Sequence, residues 1–154
     1  MFHIVLVEPQ IPPNTGNIGR LSIATRSRLH LVKPLGFDIS EKAVRRAGLD
    51  YWKHVDLVQH ESYGEFRSSI DPQSRLWFFS KFASRSLYEA NFQPGDFLVF
   101  GKETTGLPPE VHAKEPPEQL LRIPMPGAEI VRSLNLAGSV HVALYEALRQ
   151  NNFT

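Results

Sequence analysis

Short runs of β-branched and apolar residues alternate with helix-forming stretches along this chain, and that alternation limits the possible folds more than any other feature. The predicted strands are Phe2–Val7, Leu29–Val32, Val55–Gln59, Arg75–Ser80, Asp96–Phe100 and Leu120–Ile123. The predicted helices are Asn14–Arg26, Ser40–Ala47, Tyr63–Ile70 and Ser133–Gln150. Strands that alternate with helices form mostly parallel sheets. The sequence therefore predicts an α/β fold in which helices cover both faces of a mostly parallel sheet.

Polar residues and a glycine mark the expected helix ends. Asn14, Ser40 and Ser133 are predicted to cap the first, second and last helix, because their side chains can accept a hydrogen bond from a free backbone N–H group. Gly48 is predicted to stop the second helix.

Composition excludes several classes of protein. The 154 residues are expected to form a single domain, 1–154, without an added RNA-binding domain. The absence of cysteine excludes disulfides, thiolate metal sites and a cysteine nucleophile. The six histidines have no ligand spacing, so no metal is expected. No signal peptide or long apolar stretch is found, which favours a cytoplasmic protein without a membrane partner.

The formal net charge of +1 hides an uneven distribution. Between Arg20 and Lys53 there are eight basic and three acidic residues, so the rest of the chain has an acidic excess. A local basic surface of this kind can bind nucleic acid phosphates. Tyr51 and Trp52 beside Lys53 could stack on bases, or could equally belong to the core or to an interface.

Three segments rich in glycine, proline and asparagine follow predicted strands: 12–20, 100–108 and 123–137. Ligands of parallel sheets collect at the carboxyl ends of the strands. Gly101 would let a ligand approach the backbone, and Gly106 can adopt a positive φ. Glu103 could bind a ligand or hold its own loop. Each segment taken alone is also compatible with an ordinary connection.

In this order, the three segments resemble the motifs of the SPOUT RNA methyltransferases. The motifs are Asn14-Thr15-Gly16-Asn17-x-x-Arg20, Phe100-Gly101-x-Glu103-x-x-Gly106-Leu107-Pro108, and Ile123-Pro124-Met125 with Ser133-Leu134-Asn135-Leu136. The segments 8–17, 45–51 and 145–150 resemble the branch of tRNA (cytidine/uridine-34) 2′-O-methyltransferases. The resemblance covers the whole chain and implies a C-terminal trefoil knot.

The resemblance also implies a cofactor and a set of site residues. The residues expected to hold S-adenosyl-L-methionine are Phe79, Gly101, Glu103, Gly106, Ile123, Met125, Ser133 and Leu136. The expected catalytic residues are Arg20, Asn14, Ser133 and Asn135, and the expected RNA-binding residues are Arg20, Arg45, Arg46, Lys53 and Tyr145. A guanidinium group stays protonated in proteins, so Arg20 fits a positioning role at least as well as that of a base.

The implied reaction is methylation of the ribose 2′-oxygen at the wobble nucleotide, C34 or U34, in the anticodon loop of leucine tRNAs. The implied assembly is a homodimer that uses the last helix. Two alternatives stay open at this point: a SPOUT enzyme that modifies another position of tRNA or rRNA, and a knotted RNA-binding domain without activity. Whether S-adenosylmethionine binds separates the second alternative from the enzymes.

Overall fold

The computed structural model describes residues 1–154 and contains one sheet of six parallel strands. The strands are β1 (His3–Val7), β2 (Arg28–Val32), β3 (Leu57–His60), β4 (Leu76–Phe79), β5 (Phe97–Phe100) and β6 (Leu120–Leu121). Their order across the sheet is β3-β2-β1-β5-β4-β6. Every pair is parallel, with Val5 opposite His30 and Val99, for example. The predicted α/β fold with a parallel sheet is confirmed.

Five α-helices cover the two faces of this sheet. They are α1 (Pro12–Ala24), α2 (Glu41–Arg46), α3 (Tyr63–Ser69), α4 (Pro109–Lys114) and α5 (Leu136–Gln150). Short 3₁₀ turns occupy Trp52–His54, Leu87–Glu89 and Pro117–Gln119. None of the helices is both long and apolar enough to span a membrane. Helix α4 was not predicted from the sequence, because it is short, begins at a proline and buries only Val111.

The alternating side chains of the strands divide the core between the two faces. On one face, strand residues such as Leu6 and Leu98 pack against α1 and α5, including Ile18 and Leu144. On the other face, residues such as Val99 pack against α3 and α4. Helix α5 also contacts α1 and β5, so the end of the chain returns to the centre of the sheet. The trefoil knot itself stays a prediction.

Two of the predicted helix starts, those of α1 and α5, are wrong. Helix α1 begins at Pro12 rather than Asn14, and Asn14 lies inside the helix with a buried side chain. Helix α5 begins at Leu136, and its cap is Asn135 rather than Ser133: the Asn135 side chain accepts a hydrogen bond from the Gly138 N–H group at 3.2 Å. The cap at Ser40 and the left-handed glycine at Gly48 are as predicted.

Three histidines form a hydrogen-bonded chain across one face of the sheet. His3 Nδ1 lies 3.0 Å from His30 Nε2, and His30 Nδ1 lies 3.0 Å from His60 Nε2. Burial lowers the pKa of His3 to about 4 and that of His30 to about 3, and it also lowers the pKa of His60. The chain of imidazoles is therefore uncharged near neutral pH, as its packing against Phe66 and Phe97 requires.

Candidate active site

The carboxyl ends of β4 and β5 open into a cavity of about 160 Å³. The residues predicted to hold the cofactor all line it: Phe79, Gly101, Glu103, Gly106, Ile123, Met125, Ser133 and Leu136. These residues come from the end of β4, from the loop after β5, from the segment after β6 and from the start of α5. The structure thus brings them together, and their role in binding stays a prediction.

Two aromatic rings form the apolar inner wall of this cavity. Phe79 and Phe100 stack with their centroids 4.6 Å apart, and both side chains are buried. Backbone polar groups of the strand ends lie beside them, at Gly101 and Ile123. A slot of this kind, apolar with a few backbone hydrogen-bonding groups, suits a heteroaromatic ring such as adenine.

The loop after β5 is a tight hairpin that requires glycine at two positions. Gly106 has a φ of +72°, as predicted, and its N–H group donates to the Lys102 carbonyl oxygen at 2.9 Å. A Cβ atom at Gly101 would overlap the backbone of Gly106 and Leu107. The packing of this hairpin therefore requires a glycine at position 101, and the close approach of a ligand to its backbone stays a prediction.

Glu103 holds the start of helix α1 rather than its own loop, and its role in ligand binding stays a prediction. Its two oxygens accept hydrogen bonds from the N–H groups of Gln10 at 2.8 Å and Ile11 at 3.0 Å. The same carboxylate lies 3.4 Å from the side-chain amide of Asn14. Helix α1 has no cap from its own N-terminal side chains. Glu103 supplies the acceptor from another loop, and a negative charge at a helix N-terminus is favourable.

Asn14 and Asn135 extend this contact into the third segment. The Asn135 side-chain amide donates to Asn14 Oδ1 at 3.0 Å, while Asn14 donates to Glu103. Because Asn135 also caps α5, one chain of hydrogen bonds joins the starts of two helices and the hairpin after β5. The three segments singled out in the sequence are therefore connected directly through their side chains.

Arg20 lies outside the cofactor cavity of its own chain. It is exposed on α1 and lines a second, more open cleft between α1 and α5, with Asn17, Asn135, His141 and Tyr145 around it. Segment 133–135 separates the two clefts: Ser133 faces the first and Asn135 the second. Of the predicted catalytic residues, Ser133 lines the first cavity and Arg20 and Asn135 line the second cleft. Asn14 connects the two through its hydrogen bonds with Glu103 and Asn135, and the catalytic roles stay predictions.

The predicted RNA contacts are exposed. Arg45 and Arg46 lie on α2, and Lys53 lies in the 3₁₀ turn that follows; Arg45 forms an ion pair with Glu41. Tyr145 is half exposed beside the Arg20 cleft.

The two aromatic residues of this region serve packing. The Tyr51 hydroxyl donates to the Gly16 carbonyl oxygen at 2.9 Å, and Trp52 packs against the core. The indole ring of Trp52 also lies against Gly19, where a Cβ atom would overlap the ring, so helix α1 accepts Trp52 only because Gly19 lacks a side chain. The structure thus favours the packing interpretation of Tyr51 and Trp52 over base stacking.

The cavity also contains residues that the sequence analysis missed. Lys81 and Phe82 follow β4, and His112 comes from α4; all three line the cavity. These residues lie in a turn and in a short helix that was not predicted, and neither element has a sequence pattern that would mark them as part of a site. No group of three or more histidine and carboxylate side chains is arranged to hold a metal ion.

Comparison with known proteins extends these observations. The SpoU rRNA Methylase family matches residues 1–145. A tRNA (cytidine(34)-2′-O)-methyltransferase of Acidovorax sp. (strain JS42) is 48% identical over 99% of this chain and 94% of the relative. A solved structure described as "Structural insights into the 2-OH methylation of C/U34 on tRNA" is 50% identical, has a TM-score of 0.90 and covers 100% of this chain and 98% of that one.

A more distant solved structure shows how widely the fold is shared. The SpoU methyltransferase AviRb of Streptomyces viridochromogenes, in complex with the cofactor AdoMet, has a TM-score of 0.79. It is 24% identical and covers 99% of this chain and 61% of that one. The family match over most of the chain, together with relatives of nearly the same length, leads to one conclusion. The chain belongs to the SpoU methylase family, in the branch whose named members are tRNA (cytidine(34)-2′-O)-methyltransferases.

Proposed function

We propose that this protein transfers the methyl group of S-adenosylmethionine to the ribose 2′-oxygen of nucleotide 34 in tRNA. The observation that carries this proposal is the joining of the three motif segments by the contacts of Asn135, Asn14 and Glu103 around one cavity. The relatives that match nearly the whole chain are named for this reaction. We also propose that C34 and U34 of leucine isoacceptors are the targets and that the enzyme acts in the cytoplasm.

The cavity fits the proposed cofactor. Phe79, Phe100 and Leu136 offer an apolar surface to the adenine ring, and the backbone at Gly101 and Ile123 offers hydrogen bonds to its polar edge. The neighbour AviRb is solved with AdoMet in the same fold. The cofactor would supply a sulfonium methyl group for in-line transfer. This chain's residues would hold the cofactor and keep the reacting oxygen in line.

Arg20 is proposed to bind a phosphate and orient the ribose next to the cofactor cavity. Its guanidinium group carries a permanent charge and five N–H donors, so it can hold a phosphate in a fixed geometry. Asn14 and Asn135 hold the helices on which this geometry depends, through the 3.0 Å hydrogen bond between them. Ser133, on the cavity side of the same segment, is proposed to contact the reacting ribose or the cofactor.

The basic surface from α2 to Lys53 is proposed to bind the backbone of the anticodon stem and loop. Arg45, Arg46 and Lys53 are exposed; Arg45 pairs with Glu41, whereas Arg46 and Lys53 form no ion pair. Phosphate contacts of this kind provide affinity and orientation without selecting the sequence. Selection of nucleotide 34 must then come from contacts at the cavity itself.

A homodimer is proposed because the two halves of the site are separate within one chain. The Arg20 cleft is bordered by the exposed side chains of Tyr145 on α5, and Val142 is exposed on the same helix. Ile130 and Val131 add an apolar surface in the third segment, 82% and 55% exposed. A partner subunit packed on α5 would cover these side chains and could place its Arg20 at this cavity. Sedimentation at micromolar concentration is expected to show a dimer, and a stable monomer would contradict the proposal.

An rRNA substrate is the second candidate, because the matching family is described by rRNA methylation. The decisive experiment gives the purified protein radiolabelled S-adenosylmethionine with total tRNA and with ribosomal RNA from a strain that lacks the gene. Ribose methylation is then mapped by resistance of the phosphodiester to alkaline cleavage. Methylation at position 34 is the expected result, and methylation only elsewhere, or none while the cofactor binds, would overturn the proposal.

A further inference from the structure

An exposed phenylalanine stands at the rim of the cofactor cavity. Phe82 is 76% exposed, although it lines the same cavity as the buried rings Phe79 and Phe100. An exposed large apolar side chain is common on protein surfaces, but one that borders a functional cavity is informative. Phe82 belongs to neither of the two core clusters, so packing does not explain its position.

The turn that carries Phe82 is well fixed. The Phe82 N–H group donates to Ser80 Oγ at 3.2 Å, and the Ala83 N–H group donates to the Ser80 carbonyl oxygen, also at 3.2 Å. Ser80 is itself held to the neighbouring strand, since its N–H group donates to the Leu121 carbonyl oxygen at 2.9 Å. The backbone that presents the ring is therefore ordered by hydrogen bonds at the end of β4.

Two polar side chains accompany the ring. The ammonium group of Lys81 lies 5.3 Å from the centroid of Phe82, over its face. The ring of His112 meets Phe82 edge to face, with centroids 6.4 Å apart and an interplanar angle of 71°. The Phe82 ring thus has a cation over one face, a free second face and an imidazole at its edge. A site of this kind can stack a base and contact the polar edge of that base.

Resting on the function proposed above, we propose that Phe82, Lys81 and His112 form the subsite for the pyrimidine base of the nucleotide that is methylated. The base stacks on the free face of Phe82, His112 contacts its polar edge, and Lys81 lies near the adjoining phosphate. The adenine of the cofactor is the other ring that could occupy this place. The apolar slot formed by Phe79 and Phe100 already accounts for the adenine deeper in the cavity, so the rim is left for the substrate.

The test compares Phe82→Ala with Phe82→Trp on an anticodon stem-loop RNA. Base–aromatic stacking predicts that Phe82→Ala lowers kcat/KM about 5- to 100-fold and that Phe82→Trp restores most of it. The affinity for S-adenosylmethionine, measured by calorimetry, is expected to be unchanged in both variants. Tyr88→Ala is the matched control, because Tyr88 is 59% exposed but lies outside the cavity, and it should leave kcat/KM within about twofold of the original protein.

An RNA that lacks the base at position 34, but keeps its ribose, isolates the contact. On this abasic RNA the original protein and Phe82→Ala are expected to react equally, because the stacking partner is gone. An equal loss on the normal and abasic RNAs would overturn the subsite, and so would a weaker cofactor affinity or a changed oligomeric state in Phe82→Ala. Each of these results leaves methylation at position 34 by the original protein unaffected, so the proposed function is judged separately.

Discussion

Asn135 donates a hydrogen bond to Asn14 across 3.0 Å, although 121 residues separate them in the chain. Asn135 caps α5, and Asn14 lies in the first turn of α1 and donates to Glu103. The cofactor cavity and the Arg20 cleft meet along this connection. The two helices that carry the proposed chemistry are therefore positioned by side chains that also border the site.

Replacing Glu103 by alanine should destabilise the protein and weaken cofactor binding together. The variant leaves the N–H groups of Gln10 and Ile11 without their acceptor, a loss of about 1–3 kcal/mol of unfolding free energy. Glu103→Gln keeps one carbonyl oxygen and should lose less. Urea unfolding and calorimetry with S-adenosylmethionine measure both effects. If Glu103→Ala changed the cofactor affinity with no change in stability, Glu103 would act on the ligand rather than on α1.

Replacing Arg20 by alanine should abolish most of the methylation without affecting the cofactor. Arg20 lines the second cleft and not the cofactor cavity, so S-adenosylmethionine affinity should be unchanged. Loss of a charged positioning group is expected to lower kcat about 100-fold or more. Arg20→Lys should recover little, because lysine cannot hold a phosphate with two parallel hydrogen bonds. Near-normal methylation by Arg20→Ala would exclude Arg20 from the site.

Gly101→Ala should be much more harmful than the same change at Gly127. A Cβ atom at Gly101 overlaps the backbone of the hairpin, whereas nothing lies within 4 Å of a Cβ atom at Gly127. Overpacking of this kind typically costs about 1–3 kcal/mol or more of unfolding free energy. Gly127→Ala should stay within about 0.5 kcal/mol of the original protein. Urea unfolding of the two variants side by side gives the comparison, and equal stability would contradict the described packing of the hairpin.

A double variant that carries both Arg45→Glu and Arg46→Glu should weaken tRNA binding mainly at low salt. If both residues contact phosphates, the slope of log affinity against log salt should decrease in magnitude by about two. Lys114→Glu is the control, because Lys114 is exposed on α4, on the other face of the sheet. Filter binding over a range of salt concentrations measures the slopes. Unchanged affinity in the double variant would remove α2 from the RNA-binding surface.

Acid should destabilise the protein through the histidine chain. His30 has a pKa of about 3 in the folded protein, well below the value of about 6.5 expected in the unfolded chain. Its contribution to stability is therefore complete above about pH 6.5 and is lost as the pH falls toward 3. Between these limits the unfolding free energy should decrease by up to about 1.4 kcal/mol per pH unit for this residue.

Unfolding by urea at pH 5.0 to 6.5, where few carboxylates titrate, measures this slope. His30→Gln should reduce it, because glutamine carries no proton in either state. His54→Gln, at an exposed histidine outside the chain of imidazoles, should leave it the same. If His30→Gln showed the same slope of unfolding free energy against pH as the original protein, the prediction would be wrong. His30 would then be protonated as readily in the folded state as in the unfolded state.

The central strands could be predicted from the sequence because they are short, mostly apolar runs buried on both faces, as in Leu76–Phe79. The start of α1 could not be predicted, because the partner that decides it is remote. Pro12 can begin α1 because the N–H groups of the two preceding residues donate hydrogen bonds to Glu103, which lies about ninety residues further along the chain. A local pattern favoured Asn14 as a cap, but the tertiary contact determined the start.

The residues of the candidate site also fall into two groups: those that could be placed from the sequence and those that could be placed only from the structure. Phe79 and Ile123 could be placed at the cavity because the resemblance to a known family assigns these positions to the cofactor site. Two other features could be recognised only from the structure. They are the contact that forbids a Cβ atom at Gly101 and the exposed position of Phe82 at the rim of the cavity. Neither the packing of a loop on itself nor the direction of a side chain in a turn has a periodic signature in sequence.

Helix α5 and the segment before it complete the cavity, and they are synthesised after the other elements that line it. A product terminated before Ser133 would keep the basic residues of α2 but lack one wall of the cavity. Such a fragment could retain affinity for RNA without being able to modify it. Under the proposed function, a nascent chain could therefore bind RNA before it could methylate it, because the cavity is incomplete until α5 has been made.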